Sequence, residues 1–84
     1  MPIKGSKTGT RNIIVEYFAD RRQRDLVRRS CAKHSDKAIA NALRHMWSDH
    51  YPGARYVVIY DAKRGRDLAR IAPSSTGFSV IKES

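Results

Sequence analysis

The sequence predicts an α+β protein in which a small antiparallel sheet holds one main amphipathic helix on one face. Three observations support this prediction: a single helical period near the middle of the chain, strand-like runs on both sides of it, and turn residues between those runs. The predicted element order is ββαβββ, with βαβββ and a two-helix arrangement as alternatives. At 84 residues, the chain has the length of one domain with a small core.

Residues 1–11 differ in composition from the rest of the chain. They contain two glycines, several small polar residues and the cations Lys4, Lys7 and Arg11, with Ile3 as the sizeable apolar side chain. This composition predicts a flexible basic arm. We therefore expect residues 12–84 to form the single α+β domain.

The first predicted strand covers residues 12–18, where β-branched and aromatic side chains alternate on two largely apolar faces. The following segment, 20–29, contains five arginines and is ambiguous. It fits either a helix, or a turn at 20–24 followed by a strand over 26–32. We favour the turn and strand, because Ser35 can cap the next helix only if the residues before it are not helical.

The predicted helix covers Ser35 to His50. Ser35 is a suitable N-cap, and Asp36 places a negative charge at the positive end of the helix dipole. Pro52 and Gly53 are expected to end the helix. The spacing of the apolar residues predicts one buried face, formed by Ala38, Ile39, Ala42, Leu43, Met46 and Trp47.

Three more strands are predicted after the helix. In residues 55–61, Val57 and Ile59 share one face, and Tyr56, Val58 and Tyr60 share the other. A turn at 62–66, with Gly65 at positive φ, leads into a strand over 67–72. A loop is predicted at residues 73–77, followed by a terminal strand over 78–82.

The net charge points to an anionic partner. Seventeen Lys and Arg against eight Asp and Glu give a formal charge of +9, which attracts nucleic acid, an anionic membrane or an acidic protein surface. The sequence lacks the roughly 18 to 20 consecutive apolar residues of a membrane span and the apolar core of a signal peptide. We therefore expect a protein that does not bind membranes. The missing signal peptide and the single cysteine, Cys31, predict a cytosolic location.

Two arginine-rich turns are the candidate nucleic-acid site. Arginine suits phosphate because its planar fork donates two parallel hydrogen bonds, and the two turns would form one continuous positive rim if their strands were adjacent. Tyrosines between these cations, including Tyr17, are candidates for stacking on bases. The predicted nucleic-acid-binding residues are Arg21, Arg22, Arg24, Arg28, Arg29, Lys63, Arg64, Arg66, Arg70, Tyr56 and Tyr60.

A zinc site is disfavoured. Cys31, His34, His45 and His50 form the pattern C-x2-H-x10-H-x4-H, which partly matches zinc-finger spacing. A second cysteine is missing, the central gap is short, and on a regular helix His45 and His50 diverge by about 140°. We therefore expect neither a metal nor another cofactor.

Catalysis has no support in the sequence. There is no G-x-S-x-G motif and no glutamate pair. A nucleophile pair of Cys31 and His34 would need a pocket that also holds an acid such as Asp61, and the sequence does not place these three residues together. The leading prediction is a small non-enzymatic nucleic-acid-binding protein. The alternative is a protein-interaction module, such as an inhibitor or adaptor, that docks on an acidic partner through anchors such as Trp47 and permits a homodimer through a sheet edge.

Overall fold

The computed structural model describes residues 12–83, and its element order is the predicted ββαβββ. The arm predicted at residues 1–11 lies outside the described residues. The elements are β1 (Ile13–Phe18), β2 (Leu26–Ala32), α1 (Ser35–Trp47), β3 (Tyr56–Asp61), β4 (Arg66–Ser74) and β5 (Gly77–Lys82).

All five strands form one antiparallel sheet in the order β2-β1-β3-β4-β5. β1 pairs with β3 so that Phe18 lies opposite Tyr56 and Ile13 lies opposite Asp61. The end of β1 and the start of β3 therefore share one end of the sheet. β2 and β5 are the edge strands.

The ambiguous segment after β1 forms a turn and a strand, as predicted. Ala19 donates its amide hydrogen to the carbonyl of Asp25 at 2.9 Å and closes the turn. The Asp20 carboxylate accepts hydrogen bonds from the amides of Arg24 and Asp25. These bonds give the turn a defined conformation.

The helix begins at the predicted residue but is capped differently. His34 occupies the N-cap position in an extended conformation, and its side chain makes no capping hydrogen bond to the first turn. Ser35 is already the first helical residue, so its predicted role as the N-cap is wrong. The exposed Asp36 still lies in the first turn, where its charge favours the helix dipole.

The predicted end of the helix at His50 is also wrong, because α1 ends at Trp47. The amide of His50 donates to the carbonyl of His45 at 2.9 Å, and the amide of Asp49 donates to that of Met46 at 3.4 Å. Asp49 has φ 54°. These bonds and the left-handed residue form a Schellman motif, which stops the helix before Pro52 and Gly53.

The main core lies between α1 and one face of the sheet, as predicted. Ala38, Ala42 and Met46 are the buried helix residues, and the two alanines allow close approach of the helix to the strands. Ile39 and Leu43 are partly buried at the margin of this core. The sheet contributes fully or nearly fully buried side chains: Ile13, Val15, Tyr17, Val57, Ile59, Ala69 and Ile71.

Trp47 departs from the predicted buried stripe, since 57% of its surface is exposed. It is the last residue of α1 and reaches the sheet at β5, where its indole ring lies on Gly77. The Phe78 ring meets the indole edge-on at 5.9 Å. The absence of a side chain at Gly77 makes this contact possible, because an added Cβ would overlap the indole.

The face of the sheet away from α1 is also apolar at its centre. Phe18, Tyr56, Val58 and Ala72 are buried there in a second cluster, with Tyr60 packed against them. The alternation predicted for β3 is confirmed, because Val57 and Ile59 belong to the helix side. β1 likewise has two apolar faces, as the sequence predicts.

The last hairpin is longer than predicted. β4 extends to Ser74 and β5 starts at Gly77, so the connection is the pair Ser75 and Thr76. Pro73 lies in β4 and pairs with Phe78 of β5. In the preceding hairpin Gly65 has φ 65°, which confirms the predicted left-handed turn residue.

Candidate nucleic-acid interface

Five arginines from three segments lie at the end of the sheet where β1 stops and β3 starts. The amide of Arg55 donates to the carbonyl of Phe18 at 2.7 Å, which holds the segment before β3 against the end of β1. The turn that follows β1 and the start of β2 contribute the other four. We call this group the arginine end: Arg21, Arg22, Arg24, Arg28 and Arg55.

The guanidinium groups of the arginine end are available to a ligand. All five residues are exposed, and none forms an ion pair with a carboxylate among residues 12–83. Asp20, Asp25 and Asp49 also lie at this end, and the Asp20 carboxylate is bound to backbone amides of its own turn. Five arginines against three aspartates leave a positive surplus.

Three other predicted site arginines are ion-paired within the described part of the chain. Arg29 lies 3.4 Å from Glu16, and Arg64 lies 3.9 Å from Asp61. Arg70 contacts both Asp67 at 3.2 Å and Glu83 at 3.7 Å. The hydrogen bond from Arg70 to Asp67 is the main cause of a raised pKa of Arg70, and the hydrogen bond from Arg70 to the Tyr56 hydroxyl raises this pKa further. These carboxylates compete with phosphate for the same donors.

The continuous positive rim does not form. The second turn follows β3, and β3 is antiparallel to β1, so Lys63, Arg64 and Arg66 lie at the opposite end of the sheet. The six residues of β1 separate the two ends by about 17 Å. Both turns belong to the predicted site, but they present two surfaces.

A cleft of about 420 Å³ lies at this opposite end, beside the start of α1. Asp61 accepts hydrogen bonds from the amides of Lys63 and Arg64 there, at 3.0 and 3.1 Å. The cleft is lined by both basic and acidic side chains, and the lining includes His34 but not Cys31. Cys31 pairs with Ile14, whose side chain faces away from the helix. The structure thus separates Cys31 from the other two members of the hypothetical catalytic group.

Beside the arginine end, four rings pack against one another. The Tyr17 hydroxyl lies 3.0 Å from Nδ1 of His45. The His50 ring stacks on His45 with centroids 4.5 Å apart, and Tyr51 meets the other three rings edge-on. Arg28 lies over the Tyr51 ring at 5.6 Å, a cation–π arrangement. We call Tyr17, His45, His50 and Tyr51 the ring cluster.

Burial and charge shift the acid–base properties of this cluster. Burial lowers the pKa of His45, and the neighbouring His50 and Arg44 lower it further. Burial and the nearby Tyr51 raise the pKa of Tyr17 to about 12, against a smaller opposite effect of Arg28. At neutral pH the Tyr17 hydroxyl is therefore protonated and can donate to a neutral His45 imidazole.

The tyrosines proposed for base stacking differ in exposure. Tyr17 lies in the core between sheet and helix with 2% of its surface exposed. Tyr56 is on the other face but is 5% exposed, and its hydroxyl accepts a hydrogen bond from Arg70. Neither ring presents a free face to a base in this conformation. Tyr60 is half-buried beside Tyr56.

The two halves of the potential zinc motif lie at opposite ends of α1. Cys31 and His34 precede the helix, whereas His45 lies in its last turn and His50 follows it; along the axis, His34 and His45 are about 17 Å apart. Among residues 12–83 there is no group of three or more Cys, His, Asp or Glu side chains that could hold a metal ion. In the same part of the chain, no helix has the length and apolar character needed to cross a membrane.

Two features of this end are not predictable from the sequence pattern. The pattern makes Arg55 the first residue of a strand, and its place beside the first arginine turn follows from pairing between β1 and β3. Trp47 falls on the apolar helical period, which predicts a core position. Gly77, which the sequence places in a loop, is the one residue type that leaves room for a ring to lie on the backbone. The sequence does not show that this ring is the Trp47 indole.

No protein family, curated protein or solved structure compared with this chain matches it.

Proposed function

We propose that this protein binds nucleic acid without catalysing a reaction, and that the arginine end makes the principal phosphate contacts. The observation that supports the proposal is the gathering of five exposed arginines, without carboxylate partners among the described residues, from three separate segments. Arginine binds phosphate through paired hydrogen bonds, and release of counterions supplies affinity that is independent of sequence.

The opposite end has a secondary role in this proposal. Lys63, Arg64 and Arg66 add long-range attraction for the polyanion, while Asp61 offsets part of the charge of Arg64. Arg29 and Arg70 contribute less than the unpaired arginines because they must first give up a carboxylate partner. The proposal includes a cytosolic location, where the free and exposed Cys31 would stay reduced.

A comparison of two triple variants tests the proposal. Arg22, Arg24 and Arg55 are replaced by Gln in one variant, and Lys63, Arg64 and Arg66 in the other, so both have three fewer positive charges. Binding of a fluorescein-labelled oligonucleotide is measured by anisotropy over a range of salt concentrations. We expect the first variant to bind more weakly than the second. For this variant, the slope of the logarithm of the binding constant against the logarithm of the salt concentration should be shallower by up to about one unit for each arginine that no longer binds a phosphate.

Two outcomes contradict the proposal. If the affinity falls equally in the two variants, net charge accounts for binding and the arginine end has no special role. If neither single-stranded nor duplex DNA or RNA binds the unmodified protein at low ionic strength, the protein does not bind nucleic acid. Circular dichroism of both variants serves as the folding control.

The second candidate function is a protein-interaction module that docks on an acidic partner. It is favoured by the exposed apolar side chains of the edge strand β2, where Leu26 is 48% and Val27 is 36% exposed, and by Trp47. Such an edge also allows a second copy to pair with it. Recovery of one stoichiometric protein partner after nuclease treatment would support this candidate over the first.

A further inference from the structure

The indole of Trp47 is held in place on one side and open on the other. It lies on the backbone of Gly77 in β5, and the Phe78 ring packs edge-on against it. Nevertheless 57% of the residue is accessible. A large aromatic side chain that is fixed by its contacts and still exposed can stack on another ring with little loss of conformational freedom.

Trp47 shares its end of the sheet with the arginines. The helix that starts after β2 runs back and finishes beside the segment that contains Arg55. Gly77 pairs with Ser74, which lies three residues beyond the pairing of Ile71 with Val57, so the indole also belongs to the end where β3 starts. The indole and the arginine end therefore border one surface.

The surface between the arginines and the indole spans the width of the sheet. Arg28 lies on β2 and the Trp47 contact lies on β5, the two edges of a five-stranded sheet. Four strand spacings correspond to about 19 Å. Arg55, which precedes the central strand β3, lies between them.

We infer that the protein binds single-stranded nucleic acid in preference to duplex, with one base stacked on the open face of Trp47 and other phosphates of the same strand on the arginine end. This inference rests on the proposed function. Bases in a duplex are stacked on one another and do not offer a face to the indole, whereas unpaired bases do. A cationic surface next to a free aromatic face is the combination that sequence-tolerant single-strand binders use.

The protein's own tryptophan provides a specific readout, because the chain contains one tryptophan. Its fluorescence is followed during titration with a 12-nucleotide single strand, the same sequence as a duplex, and an abasic strand of equal length. We expect quenching by the single strand and little quenching by the abasic strand. We also expect tighter binding of the single strand than of the other two ligands.

Variants at Trp47 separate stacking from packing. Trp47→Leu keeps an apolar side chain on Gly77 but has no aromatic face, whereas Trp47→Phe keeps a ring. Anisotropy with a labelled single strand should show about 5- to 150-fold weaker binding for Trp47→Leu, the range expected when one base no longer stacks on an aromatic ring, and a smaller reduction for Trp47→Phe. Affinity for the abasic strand should stay the same in both variants.

Either of the following two results would show that the inference is wrong. Equal affinity of the unmodified protein and Trp47→Leu for the single strand would mean that the indole does not stack on a base. Unchanged tryptophan fluorescence at saturation would mean the same. In either case, salt-sensitive binding of the abasic strand would leave the proposed function intact, whereas a lack of binding to all three ligands would remove both. A homodimer that forms without nucleic acid and dissociates when Trp47 is replaced by Leu, both followed by size-exclusion chromatography, would assign the indole to a protein interface.

Discussion

The imidazole rings of His45 and His50 are stacked, with centroids 4.5 Å apart and planes at 19° to each other. On a continuous helix two residues five positions apart point in different directions. Here α1 ends at Trp47, and the backbone bond from His50 to the His45 carbonyl folds the chain back over the last turn. The Schellman motif therefore creates the ring cluster beside the arginine end.

The left-handed conformation of Asp49 gives a first prediction. Its φ of 54° is costly for a residue with a Cβ and is the position that glycine usually occupies in this motif. We expect Asp49→Gly to raise the free energy of unfolding by up to about 1 kcal/mol, and Asp49→Val to lower it by about 1–2 kcal/mol. Urea denaturation followed by tryptophan fluorescence measures both. A lower stability for Asp49→Gly would show that the aspartate side chain itself stabilises the motif.

A second prediction concerns stability below neutral pH. Because the pKa of His45 is lowered in the folded state, the unfolded chain binds more protons below the ordinary histidine pKa of about 6.5. This contribution to stability is fully present above that pH and is lost as pH falls through the folded-state pKa. The groups that face His45 are Tyr17 from β1, Arg44 from its own helix, and His50 and Tyr51 from the following loop.

Thermal unfolding between pH 7.5 and pH 4.5 measures this effect. His45→Gln should show a weaker decline in stability with falling pH than the unmodified protein. His34→Gln serves as the matched control, because His34 lies at the other end of α1 and outside the ring cluster. Parallel pH profiles for the unmodified protein and His45→Gln would contradict the assignment.

Alkaline pH gives a third prediction, through Tyr17. Its folded-state pKa of about 12 lies above the ordinary value of 10, so the folded protein holds the phenolic proton more tightly than the unfolded chain does. The stability contribution is present below pH 10 and is lost as pH rises toward 12. In a phenolate absorbance titration, Tyr17→Phe should remove a late component that ionises near pH 12. Tyr60→Phe, on the other face of the sheet, is the control, and disappearance of the same late component there would refute the assignment.

Gly77 allows a fourth prediction about its packing against Trp47. Gly77→Ala places a Cβ against the indole and in a backbone conformation with φ 126°. Both effects are unfavourable, and we expect a decrease of about 2–4 kcal/mol in the free energy of unfolding.

Gly65→Ala is the matched control, because Gly65 also has positive φ but nothing lies within 4 Å of its added Cβ. It should cost about 1–2 kcal/mol from the backbone alone. Denaturant unfolding of the two variants, with CD as the probe, measures the difference. Equal decreases would mean that the indole moves aside without cost and is not held on Gly77.

The sequence by itself determined the elements and their faces. A two-residue period in β1 and β3, and a three-to-four-residue period in α1, predicted most of the side chains that form the core, with Trp47 as the exception, because these periods depend on local backbone geometry. The strand at 26–32 and the left-handed Gly65 followed from equally local signals, and the structure confirms both.

The tertiary structure decided which residues meet. Antiparallel pairing of β1 with β3 placed the two arginine-rich turns at opposite ends and brought Arg55 to the first of them. The early end of α1 stacked His50 on His45, and the last hairpin supplied the glycine on which Trp47 lies. These relationships depend on strand order and direction, which pairings between distant residues fix and which no local period in the sequence reveals.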